Sequence, residues 1–146
     1  MNRTSIAVAF SAQALCQLGD ASAQPQEQSR VEWQEVAAST TSKAYLNRQS
    51  IQAQGKYLKA WTMWFYPKGV TVQDLHYKSL KSLIYYDCGS TTYAVRQTHY
   101  FASENASGKQ IESNFFKDNE LQFNDPVPGS TGYTMLKAVC ASPKRQ

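Results

Sequence analysis

Histidine, cysteine and long apolar runs are all scarce in this sequence, and each scarcity removes a class of function. There are two histidines, His76 and His99, and three cysteines in 146 residues. Acid–base and nucleophilic chemistry need a titratable side chain beside a partner that shifts its pKa, most often a histidine. Neither histidine belongs to an H-E-x-x-H pattern, there is no G-x-S-x-G or phosphate-cradling glycine loop, and no second cysteine pair completes a zinc site. No catalytic residue, metal ligand or cofactor is expected. His76, separated from Asp74 by Leu75, reads as an exposed loop residue, and His99 as a sheet-surface residue near Arg96 and Tyr100. Charge is thinly spread: 15 Lys and Arg against 11 Asp and Glu leave +4 with no basic stripe, so nucleic acid is not an expected partner. The one apolar run, Ile6 to Leu18, is too short to span a bilayer and is broken by Gln13 and Gln17.

That run sits where a secretory leader belongs. Arg3 supplies the positive start and Ala21-Ser22-Ala23 an A-x-A cleavage site, so residues 1–23 read as a signal peptide. Leu15 before Cys16 is too large for a lipidation site, which argues against a lipid anchor. Residues 24–30 are polar, with Pro25 and three glutamines, and read as a flexible linker. The folded domain is expected over residues 31–140, followed by a tail at 141–146. Removing the leader leaves Cys88 and Cys140 in an oxidising compartment, which reads as one disulfide. A thiol nucleophile or metal ligand would need partners that the sequence hardly offers.

Between the cysteines and before them, the pattern is that of strands. Val31 to Val36 alternates, with Trp33 expected on the buried side. Ala44–Asn47 and Ser50–Ala53 read as a hairpin about Arg48-Gln49. The run from Tyr57 to Tyr66 is the most apolar and should be central, ending at Pro67 and Gly69. Ser79–Cys88 and Thr91–Phe101 form two long strands about a turn at Asp87, Gly89 and Ser90. Leu80, Ile84, Tyr86 and Cys88 share the expected core face. A strand is expected at Lys109–Phe116 and a fragment at Leu121–Phe123. Ser130 stands at a helix N-cap, ahead of an apolar stripe formed by Tyr133, Leu136, Val139 and Cys140. Lys68 to Tyr77 shows no clean period and reads as a loop. The fold class is α+β, mainly β.

Trp33, the Trp61 strand, Asp87-Cys88, Pro128-Gly129-Ser130 and the terminal Cys140, taken in order, resemble the surface-adhesin protein E family, small exported proteins of Gram-negative bacteria. Tyr45-Leu46-Asn47-Arg48-Gln49-Ser50-Ile51 and Tyr77-Lys78-Ser79 add to the likeness, which covers about Val31 to Cys140. The resemblance implies a curved antiparallel sheet of about six strands, with the C-terminal helix on one face and held by the disulfide. It also implies an adhesin role, since the name-giving members bind vitronectin, laminin and plasminogen.

Three classes of function follow. The first is an exported, non-enzymatic binding module for a host matrix or serum protein, or for an envelope protein. Its candidate binding residues are Lys68, His76 and Tyr77 in the Lys68–Tyr77 loop and Lys78 directly after it, with exposed aromatics on the free sheet face. The second is a periplasmic structural or accessory protein working as a homodimer through an edge strand. The third is a small hydrolase or ligand carrier using the concave side of the sheet. An export route leaves the periplasm and the outer-membrane surface open and excludes the cytoplasm.

Overall fold

Seven antiparallel strands make one open sheet, crossed on one face by a single helix, in a computed structural model that describes residues 31–142. The expected signal peptide (1–23) and linker (24–30), and residues 143–146 of the expected tail, lie outside the described residues. The strands are β1 Gln34–Ala38, β2 Lys43–Leu46, β3 Gln52–Gln54, β4 Tyr57–Val72, β5 Leu75–Asp87, β6 Thr92–Phe101 and β7 Gln110–Phe115; the helix, α1, is Thr131–Cys140. The order across the sheet is β1-β2-β4-β5-β6-β7, with β3 also paired to β4.

The β4–β5 pair is the spine. Leu58, Ala60 and Thr62 of β4 lie opposite Tyr86, Ile84 and Ser82 of β5, and directly opposed residues share a face. These positions are buried because α1 lies over β1, β2, β4 and β5 on that side. Met135, Leu136 and Val139 of the helix fill the space above Ala44, Leu46, Leu58, Ala60, Ile84 and Tyr86. Ser130 caps the helix, its hydroxyl oxygen accepting from Tyr133 N at 3.2 Å. At the other end Cys140 is bonded to Cys88 in the turn after β5, with Cα atoms 5.7 Å apart. The turn itself is shaped by Asp87, whose carboxylate accepts from Gly89 N at 3.1 Å and Ser90 N at 3.2 Å.

The observed elements differ from the sequence reading at five places, each for a local reason. The sheet has seven strands, in keeping with the about six expected, and the strand read at Ser50–Ala53 is found at Gln52–Gln54. That strand pairs with β4, not with β2 as a hairpin would require. A single 3-10 turn at Arg48–Ser50 separates the two, and the Ser50 hydroxyl fills the resulting gap in the ladder by accepting from Trp61 N at 2.8 Å. The first strand begins at Gln34, so Trp33 precedes it and is half-buried. Residues 121–123 are not a strand; Asn124 alone bridges Tyr93. Met135 belongs to the buried helical stripe, while Tyr133 stays half-exposed at its margin.

The largest difference is at Lys68–Tyr77, which is strand and not loop. β4 runs on through Pro67 and Gly69 to Val72 and returns as β5 from Leu75. Pro67 has no N–H to give a ladder, and here it sits in an irregularity: Phe65 faces Ser79 and Val70 faces Tyr77, so Tyr66–Gly69 bulge opposite Lys78. Gly69 has φ +71°, and a Cβ there would come within 2.8 Å of the His76 ring, so only glycine lets the ring lie against the bulge. The hairpin closes over Gln73 and Asp74, with Gln73 at φ 53°.

Candidate functional site

The neighbours of the β4–β5 hairpin stop short of its tip. β2 pairs with β4 only as far as Phe65, and β6 reaches β5 only from Ser79. Residues 66–78 therefore form a two-stranded arm beyond the body of the sheet. Isolated hairpins are marginal in water, so the arm needs an anchor. Tyr77 provides it: only 8 % exposed, its ring meets Tyr66 edge-on at 5.8 Å and Tyr100 at 4.9 Å. Burial, followed by the neighbouring Tyr77 and Tyr100 phenols, pushes the Tyr66 hydroxyl up to about 12. Burial and then Tyr100 also push the Tyr77 hydroxyl above the usual phenol range.

The four candidate binding residues thus divide. Lys68 is exposed on the bulge, and His76 is exposed on the facing strand with Nδ1 2.8 Å from the Thr71 hydroxyl. Lys78 lies at the arm's root, paired with Glu104 at 3.3 Å. Tyr77 is turned inward and is a corrected expectation, because its ring holds the arm and presents no contact surface. The hydrogen-bond partners of both histidines are neutral. His76 meets Thr71; His99 lies between Gln97 at 2.7 Å and Gln110 at 2.5 Å. Among the described residues no group of three His, Cys, Asp or Glu side chains is placed to hold a metal ion.

Two concavities accompany the arm. On the helix side, the part of the sheet that α1 does not reach leaves a space of about 490 Å³ bounded by Trp64, Tyr66, Tyr93, Tyr100 and Phe116. On the opposite face an open groove of about 420 Å³ is lined by Trp33, Trp61, Lys81, His99, Phe101 and Gln110. The sequence reading placed Trp61 and His99 on strands but did not bring them together. The signal was in the pairing: Met63 faces Lys81 and Lys81 faces His99, which puts Trp61, Lys81 and His99 on one side. Trp33 joins them only because the chain before β1 folds over this face, which no local pattern encodes.

The outer edge is equally distinct. Every residue of β7 is exposed, including Ile111 at 39 % and Phe115 at 61 %. Arg96 lies over the Phe115 ring at 4.2 Å and pairs with Asp118 at 3.3 Å, which fastens this strand to β6.

A family model described as Surface-adhesin protein E matches residues 33–141. Among solved structures the chain is similar to the crystal structure of protein E from non-typeable Haemophilus influenzae, with 13 % sequence identity, 81 % of each chain covered and a TM-score of 0.49. No curated protein matches the chain.

Proposed function

The chain belongs to the surface-adhesin protein E family, and from that premise we propose that it is an exported, non-enzymatic module that binds a host matrix or serum protein through the arm at residues 66–78. In this reading residues 31–140 are the binding domain, delivered by the leader at 1–23 and spaced from it by 24–30. The observation that carries the proposal is the projection of the arm past both of its neighbours in the sheet, with Lys68 and His76 exposed and Tyr77 fixing its base. An arm anchored at its base and presenting Lys68 and the His76 ring loses less entropy on docking than a free loop would. The test is surface plasmon resonance of the purified exported chain over immobilised vitronectin and laminin. The Lys68→Glu/Lys78→Glu variant is expected to bind roughly tenfold more weakly, the effect of two rim charges reversed in sign. Undiminished binding would remove the arm as the site, and no binding by the unaltered chain would remove these partners.

A second reading, a periplasmic accessory protein working as a homodimer, is favoured by β7. A fully exposed edge strand with Ile111 and Phe115 outward offers unpaired backbone groups to a second copy. Sedimentation of Ile111→Lys against the unaltered chain checks it: a dimer that the substitution leaves intact does not use this edge.

A further inference from the structure

The groove on the face away from α1 has a composition that structural packing does not require. Its floor is a pair of flat rings, Trp61 and His99, stacked with centroids 5.9 Å apart and planes at 25°. The imidazole is held in that plane by hydrogen bonds at both nitrogens. The Gln97 side-chain amide lies 2.7 Å from Nε2, and the Gln110 side-chain oxygen lies 2.5 Å from Nδ1. Lys81 rises from the same face between two aromatic walls, its Nζ 5.8 Å from the Trp33 centroid and 5.5 Å from that of Phe101. Like Arg48, Lys59, Lys68, Lys109, Lys117 and Lys137, Lys81 makes no ion pair among the described residues, and it is the basic residue that lines this groove. Trp33, Trp61 and His99 all remain half-exposed around an open space of about 420 Å³. Trp33 and Phe101 also pack with Met63 and Ala106 in a small second core on this face, which leaves the Trp61 and His99 rings open.

We propose that this groove binds a pyranose sugar bearing a carboxylate, at a site separate from the arm. Trp61 and Trp33, half-exposed in the groove, offer aromatic surface against which the C–H face of a pyranose, apolar while its rim is hydroxylated, can lie. The amide of Gln110 lies at the groove's edge, where sugar hydroxyls need donors and acceptors. Lys81 supplies the one cation, and its aromatic walls exclude water from the side of the ammonium that faces them, which strengthens a pair with an incoming carboxylate. The volume lies within the range of small-ligand sites, roughly 300 to 1,000 Å³. The open, shallow form favours a saccharide unit within a longer chain over a ligand that needs full enclosure, such as an acyl chain.

The experiment is a titration of the exported chain, followed by tryptophan fluorescence and by saturation-transfer NMR, with a tetrasaccharide of alternating glucuronic acid and N-acetylglucosamine. The neutral tetramer of N-acetylglucosamine serves as the comparison. Saturable fluorescence change with the acidic probe is expected, with the neutral probe weaker by roughly tenfold or more, the loss of one charge-assisted contact. Lys81→Gln keeps much of the apolar stem and should reduce the acidic probe to the level of the neutral one. Trp61→Leu should weaken both probes, with circular dichroism showing that each variant is folded. Equal binding of the two probes, retention of the preference in Lys81→Gln, or no saturable binding up to about 5 mM would each overturn the proposal.

Discussion

Removing the Cys88–Cys140 bond by substituting both cysteines with serine should lower stability by about 4 kcal/mol, for a reason located mainly in the unfolded chain. The bond closes a loop across a sequence separation of 52. In the chain-entropy treatment such a loop removes about 14 cal/mol/K from the unfolded ensemble, which is about 4 kcal/mol at 25 °C. A fold of about 110 ordered residues unfolds with an entropy of about 0.23 kcal/mol/K, so the melting temperature should fall by roughly 15 to 20 °C. The native state adds a second consequence. The bond joins the last residue of α1 to the turn after β5, and without it the helix is held by Met135, Leu136 and Val139 alone. Thermal unfolding followed by circular dichroism, with and without a phosphine reductant, measures the effect. The reduced native protein should match the double serine variant, since Cys88 is exposed to the reagent. A serine variant melting within about 5 °C of the oxidised protein would refute the reasoning.

Three further outcomes follow from the same structure. Leu136→Ala leaves a cavity between α1 and the sheet and should cost about 2 to 5 kcal/mol by urea unfolding; under about 1 kcal/mol would mean that the helix is not the lid of the core. Ser130→Ala removes the acceptor for Tyr133 N and should cost about 1 kcal/mol, whereas Ser130→Gly should cost less. Asp87 is held below the usual carboxylate range by the Lys56 ammonium at 2.9 Å and by the backbone N–H groups of Ser90 and Gly89. A depressed carboxyl stabilises the fold above its unfolded value of about 3.9, and that contribution is lost as pH falls through the lower folded value. Asp87→Asn should therefore lower the melting temperature at neutral pH by an amount that shrinks as pH falls below the unfolded value of about 3.9; a difference that stays constant through the acid range would contradict the assignment.

Local signals carried much of the fold. Alternation marked β5 and β6, Asp87 with Gly89 marked their turn, Ser130 marked the helix start, and the pairing of Cys88 with Cys140 follows from the two cysteines that remain once residues 1–23 are read as a leader. Each rests on a few adjacent residues or on counting. The arm was misread because Pro67 and Gly69 are strand breakers by themselves, and their tolerance in a bulge depends on β5 passing alongside. The sequence around Tyr77 offers it as a contact residue, since nothing near it shows that Tyr66 and Tyr100 enclose it. The groove was missed because Trp33, Trp61, Lys81 and His99 come from four separate segments, each polar or aromatic in an ordinary way.

The sequence by itself determined most of the secondary elements outside the arm, the covalent tie and the family resemblance, because periodicity, capping and cysteine number are properties of neighbouring residues. The tertiary structure alone decided which strand edges β3 and the arm meet, which face of the sheet α1 covers, and which side chains gather opposite it. Strand register couples residues far apart in the chain, and a side chain's surroundings are set only once those distant segments have paired.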